Sequence, residues 1–170
     1  MDLRDAKEFL RDASKYIIVF VVVLLLFIFV VGLQQVVGPS MSPNYNEGDV
    51  MVVNKLSYKF RNPKRGEVVV VTAQEKYMIK RVIGIPGDKI EFKDNKLYVN
   101  DQEYKESYLK DDVVTNDFKL SDIGVEGAIP DGKYLVLGDN RTNSLDGRNY
   151  GLVDKKNIVG ISMFRIWPIK

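Results

Sequence analysis

The sequence predicts a mainly β domain, a folded antiparallel sheet or barrel-like structure, carried on one N-terminal membrane helix. Three observations predict it. Residues 17–31 contain no polar side chain. Beyond residue 33 that continuous run gives way to short β-type runs broken by Gly, Pro, Asn and Asp. After residue 33 no long amphipathic helical period and no internal repeat is visible. The chain therefore divides into an N-terminal segment (1–15), a membrane helix (16–33) and an external domain (34–170), with residues 103–132 as a polar β excursion from its core.

As a helix, residues 16–33 rise about 27 Å at 1.5 Å per residue, enough for a hydrocarbon core of roughly 30 Å. A cleaved secretion signal would have a shorter apolar region. The sites Gly32-Leu33-Gln34 and Val36-Val37-Gly38 also fit the small-x-small cleavage pattern poorly. Arg4, Lys7, Arg11 and Lys15 precede the run, and the first basic residue after it is Lys55. The excess of positive charge marks the cytoplasmic side, so a single-pass cell-membrane protein with its N-terminus inside and residues 34–170 outside is expected. Asp2, Asp5, Glu8 and Asp12 interleave with the basic residues at helical spacings.

In the external domain, residues 49–56 read as a strand, 61–66 as a loop and 67–72 as a β-branched strand buried on both faces. Residues 77–85 form another strand, closed by Pro86-Gly87, a pair suited to a type II turn. Residues 88–92 and 96–99 predict a hairpin around Asp94-Asn95, with a second tight turn at Asn100-Asp101. Residues 134–137 and 158–164 are the closing core strands.

Composition narrows the chemistry. With 25 basic and 23 acidic residues, a formal net charge of +2, the chain lacks the basic concentration of a nucleic-acid binder. It has 0 Cys and 0 His, which argues against a zinc site and removes the usual base for a serine nucleophile. A lysine is the remaining candidate.

Six residues separate Leu33 from Ser40, which lies in the bend Gly38-Pro39-Ser40-Met41-Ser42-Pro43. By itself that segment reads better as a juxtamembrane linker with a solvated serine. Lys80 shares a strand face with Met78 and Val82, and Arg81 shares the opposite face with Ile79 and Ile83. Apolar neighbours lower a lysine pKa by desolvation; an edge-strand lysine reaching solvent fits the same pattern. A dense polar loop, residues 137–148, follows a strand and could orient other groups or serve as a surface turn. A Ser-x-x-Lys match at Ser107-Tyr108-Leu109-Lys110 has no Lys-Thr-Gly or Ser-Asp-Asn companion and reads as coincidence.

Three separated segments, in order, resemble those of the type I signal peptidases, membrane-bound serine proteases. They are Ser40-Met41-Ser42-Pro43, Lys80-Arg81-Val82-Ile83-Gly84-Ile85-Pro86-Gly87-Asp88, and Gly138-Asp139-Asn140-Arg141 with Ser144, Asp146 and Arg148. The single anchor resembles the short Gram-positive-type forms. The resemblance implies Ser40 as nucleophile and Lys80 as general base, with Ser144 hydrogen-bonded to the Lys80 amine. It further implies an Asp146–Arg148 ion pair, an Asp139–Arg81 pair and Met41 on the site floor. The implied substrates are secretory preproteins cut after small residues. The implied enzyme is monomeric, needs no metal or organic cofactor, and binds the lipid bilayer but no nucleic acid. Two departures stand out: Gly38, where some members carry a hydroxyl that helps bind the oxyanion, and Gly147, where many carry serine. Self-cleaving repressor proteases share a related core, but they are cytoplasmic and DNA-linked, which the apolar run and weak net charge disfavour.

Overall fold

The computed structural model describes residues 3–168; Met1 and Asp2, the start of the expected cytoplasmic segment, lie outside them. The chain begins with helix α1, Leu3–Val30. Its Arg11–Val30 portion has a mean hydropathy of 2.8 and is nowhere buried by the rest of the protein, which makes it long and apolar enough to cross a membrane. The expected Asp12–Lys15 spacing carries an exposed contact of 2.9 Å.

Val31, Gly32 and Leu33, expected at the end of the membrane helix, form strand instead. Strand β1 (Val31–Gln35) pairs antiparallel with β2 (Val50–Asn54), with Leu33 opposite Val52. Lys55 N–H donates to Val30 O at 2.9 Å, so the junction passes its last helical carbonyl directly to the sheet. β2 supplies partners that a continued helix would not use, and pairing overrides the apolar pattern of those three residues.

A short helix α2 (Ser57–Phe60) leads to β3 (Val68–Ala73) and β4 (Lys76–Gly84), which lie side by side with Val69 opposite Lys80. The run Val68 to Val71 is buried throughout, as expected for a strand covered on both faces. Beyond β4, Gly87 has φ 87° and Asp88 N–H donates to Ile85 O at 3.1 Å, the geometry of the expected type II turn. β5 (Ile90–Lys93) and β6 (Lys96–Val99) form a hairpin across Asp94-Asn95, whose φ values of 51° and 64° are those of a type I′ turn. Asn100-Asp101 repeats the device before β7 (Gln102–Tyr104).

β8 (Phe118–Lys119) closes a four-stranded sheet of order β7-β6-β5-β8. The segment expected to leave the core thus returns to it. Phe118, Leu120 and Ile129 are buried with Phe92, Leu97, Ile83 and Leu135, in a core shared by both sheets. Polar residues dominate the segment, so its isolated apolar anchors carry no periodic signal. The chain then adds β9 (Lys133–Leu137), helix α3 (Gly147–Tyr150), β10 (Val153–Asp154) and β11 (Ile158–Trp167). Together they complete a seven-stranded antiparallel sheet, β1-β2-β11-β3-β4-β9-β10. Irregularities where β11 meets β2 and β3 bend this sheet. At one of them Gly160 is needed, since a Cβ would lie 2.4 Å from Asn54 O.

Candidate active site

Three chain segments distant in sequence meet around the Ser40–Lys80 contact. The first is the turn between β1 and β2. Gly38 takes φ 78°, which only glycine adopts cheaply, and Ser42 N–H donates to Pro39 O at 3.0 Å. This bend holds Ser40 half-buried, while the next side chain, Met41, is wholly buried against Met51, Val53 and Val70. Met41 thereby anchors the turn beneath Ser40. Among the described residues the Ser40 N–H has no hydrogen-bond acceptor.

The second segment is β4. Lys80 is 2% exposed, and its Nζ lies 2.7 Å from Ser40 Oγ. Burial lowers its pKa from 10.5 to about 8, against the opposing pull of the Asp146 and Asp139 carboxylates. The same strand sends Arg81 the other way. Its Nε and Nη2 donate to Asp139 Oδ1 and Oδ2 at 2.7 and 2.5 Å, a bidentate pair in which Asp139 is fully buried.

The third is the loop from β9 into α3. Asn140 N–H donates to Ser40 O at 3.0 Å and Asn140 Nδ2 donates to Pro39 O at 3.2 Å, tying this loop to the serine turn. Asp146 caps α3 by accepting from Arg148 N–H. It also accepts from Arg148 Nε and Nη2, each at 2.9 Å, and from Gly138 N–H at 3.0 Å. Burial acts to raise the Asp146 pKa, but Arg148 and the Gly138 N–H outweigh it and hold the carboxyl below its usual range.

Ser144 departs from expectation. Its Oγ is buried and has no hydrogen-bond partner among the described residues, Lys80 included, although its nearness to Asp146 helps lower that pKa. Gly138 packs so tightly against it that a Cβ there would lie 2.2 Å from Ser144 Oγ and 2.4 Å from Ser40 O. Ser107 and Lys110, the competing serine–lysine match, are both exposed between β7 and β8. Three contributors escaped the sequence reading: Asn140, Gly138 as a contact, and Asn44, whose Nδ2 donates to Asp139 Oδ2 at 2.8 Å. Asn140 and Gly138 sit inside a polar segment already singled out; Asn44 carries no local signal, because its partner is 95 residues away.

A cleft of about 230 Å³ opens beside the Ser40–Lys80 pair. Gln35, Val37 and Pro39 line one wall, and Tyr77, Ile79 and Leu145 line others. A buried lysine of lowered pKa at hydrogen-bond distance from a serine can activate that hydroxyl without histidine.

The profile of the signal peptidase family, peptidase S26, matches residues 10–167. The chain belongs to that family. Signal peptidase IB of Staphylococcus aureus strain Mu50 is 39% identical over 174 residues, covering 95% of this chain and 91% of that protein. Signal peptidase I V of Bacillus subtilis strain 168 is 42% identical over 135 residues, covering 75% of this chain and 80% of that protein. The crystal structure of a signal peptidase I from Enterococcus faecalis V583 aligns with a TM-score of 0.52 at 30% identity. That alignment covers 61% of this chain and 98% of the other. As a type I signal peptidase the chain is a serine peptidase, a hydrolase of peptide bonds.

Proposed function

We propose that this signal peptidase removes N-terminal signal peptides from exported preproteins with Ser40 as nucleophile and Lys80 as general base. The observation that carries the reading is the 2.7 Å approach of a buried Lys80 amine to Ser40 Oγ. Neutral Lys80 takes the hydroxyl proton, Oγ attacks the scissile carbonyl and an acyl-enzyme forms. The ammonium then delivers its proton to the departing amine, and the regenerated amine activates the water that hydrolyses the ester. The free Ser40 N–H is the natural donor to the oxyanion. Gly38 brings no side-chain hydroxyl as a second donor.

The supporting roles follow from the contacts. Asp139 neutralises Arg81 behind the base, and Asp146 with Arg148 fixes the loop bearing Ser144. Ser144 Oγ, without a partner in the resting enzyme, is available to the Lys80 ammonium once the proton has moved. Met41 holds the floor. One chain supplies all of these groups, so a monomer suffices. Substrate binds extended beside β1, an edge strand of the large sheet, with main-chain hydrogen bonds supplying most of the grip. The modest cleft suits small residues one and three positions before the cut.

Helix α1, long and apolar enough to cross a membrane, supports anchoring of the enzyme in the cell membrane. The basic residues before the apolar run support a cytoplasmic N-terminus and an external catalytic domain. A signal peptide's apolar segment occupies the same bilayer, which brings its cleavage site to the height of Ser40. Processing of a test preprotein by full-length protein should fall by roughly 10⁴-fold or more in Ser40→Ala and in Lys80→Ala. Persistent cleavage by either variant would overturn the dyad. Protection of residues 34–170 from external protease in intact cells would overturn the orientation.

A further inference from the structure

The polar segment between β7 and β8 lies outside every motif in which the chain resembles its family, yet it sends charged and aromatic groups to the back of the active site. Glu106 forms a bidentate pair with Arg141, Oε2 to Nη1 at 3.0 Å and Oε1 to Nη2 at 2.5 Å. Side-chain exposure is 0% for Arg141 and 11% for Glu106, so this is a buried pair. Thr115 Oγ1 takes a further Nη1 bond at 3.1 Å, and the guanidinium lies 5.2 Å from the Phe92 ring centre. The remaining direction of Arg141 points at the site: Nε donates to Gly138 O at 3.1 Å, while Arg141 O accepts from Arg148 at 2.8 Å. Gly138 and Asn140 are the residues that abut or bond Ser40 O. From Glu106 to the serine turn there are therefore two links, Arg141 and the loop it braces.

Tyr108 runs a parallel connection. Its hydroxyl donates to Glu106 Oε1 at 2.6 Å, and its ring lies 4.0 Å beneath the guanidinium of Arg81, the residue next to Lys80. Its carbonyl accepts from Asn44 Nδ2, which also donates to Asp139 Oδ2, both at 2.8 Å. One short segment thus touches the arginines of both the β4 and the loop halves of the site. A buried ion pair is a poor source of net stability, because desolvation offsets most of the Coulomb gain. What a fully engaged pair supplies is fixed geometry.

We propose that Glu106 and Tyr108 are positioning residues of the reaction, holding Arg141 and Arg81 so that the 138–148 loop and β4 present Ser40 and Lys80 at bonding distance. The inference rests on the reading of Ser40 and Lys80 as the dyad. A displacement of about 1 Å in a reacting pair costs on the order of 100-fold in rate, so Glu106→Gln, which keeps shape and removes charge, should lower kcat by roughly ten- to hundredfold. KM should stay within about threefold, since neither residue lines the substrate cleft.

The test uses full-length enzyme in detergent with a test preprotein, comparing wild type, Glu106→Gln, Arg141→Gln, the double variant and Ser40→Ala. A loop released from Arg141 also admits water to Lys80, beside which Asn143 and Leu145 form the cleft wall. The acid limb of kcat/KM in Glu106→Gln should therefore move to higher pH, with Asp139 and Asp146 facing the amine unchanged. The double variant should be no slower than Arg141→Gln alone, because Glu106 acts through Arg141. Wild-type kcat in Glu106→Gln would overturn the proposal. So would a lower melting temperature and reduced rate with an unmoved pH profile, the mark of a merely structural pair. Should Glu106→Gln not fold, Thr115→Val removes one Arg141 acceptor in an isosteric side chain. The same pH shift with a smaller rate loss is then expected, and its absence overturns the proposal. Cleavage by Ser40→Ala would sink the dyad itself and this inference with it, whereas a dead Ser40→Ala beside a normal Glu106→Gln sinks only the inference.

Discussion

Raising the pH from 6 to 9 titrates Lys80 through its lowered pKa of about 8, and the rate of acylation should follow its neutral fraction. That fraction is about 1% at pH 6, about 9% at pH 7, half at pH 8 and about 90% at pH 9. A lysine left at 10.5 would give a tenfold rise per pH unit across the whole range, about a thousandfold in all. The buried Lys80 should instead give roughly a 90-fold rise that bends near pH 8 and levels off. Single-turnover processing of a poor preprotein, in which chemistry limits the rate, is the suitable assay. An unbroken rise to pH 9, or a pH-independent rate, would refute the argument that burial prepares this amine. Stability moves in the same direction over a higher window. Between about pH 8 and 10.5 the unfolded chain binds the Lys80 proton more tightly than the folded one, so the contribution to stability rises with pH through that window. Below it the full penalty of burying the ammonium is present.

Lys80→Met should therefore stabilise the protein at pH 7, by on the order of 3 kcal/mol, with the gain vanishing toward pH 10.5; denaturant unfolding of both proteins at the two pH values checks it. Gly138→Ala should inactivate the enzyme, because the added Cβ meets Ser40 O at 2.4 Å, and a second change of Ser144→Ala should not restore processing, since the clash with backbone remains. Asp139→Asn leaves Arg81 buried without its counter-charge and should cost about 3–5 kcal/mol in unfolding free energy. Ser144→Ala removes a hydroxyl that bonds nothing in the resting enzyme, so stability should change by less than about 1 kcal/mol while the processing rate falls; equal losses in both would assign Ser144 a packing role alone.

Much of the sheet was legible because its signals are local. Asp94-Asn95 and Asn100-Asp101 announce their turns through residues that tolerate positive φ, and the β-branched run Val68 to Val71 announces a strand buried on both faces. The junction at Val31 was not legible, since an apolar residue that ends a helix and one that begins an edge strand look alike in sequence. Nor was the return of Phe118, Leu120 and Ile129 to the core, where single anchors are spaced by polar chain. At the site, the resemblance implied the pairs of Ser40 with Lys80, Asp139 with Arg81 and Asp146 with Arg148, whereas pairings that reach outside those motifs were not readable. Ser40, Lys80, Asp139 and Asp146 stood out by chemistry and motif, whereas Asn44, Asn140 and Glu106 matter through partners far away in sequence.

The sequence alone determined that any serine chemistry here needs a base other than histidine, because there is no histidine, and that an apolar run of membrane length sits close before the candidate nucleophile. Those are facts of composition and order. Only the tertiary structure decided that the Lys80 amine lies 2.7 Å from Ser40 Oγ, that burial lowers its pKa to about 8, and that Ser144 Oγ is buried without a partner among the described residues. Distance and desolvation depend on how the serine turn, β4 and the loop after β9 pack together, and no single segment encodes them.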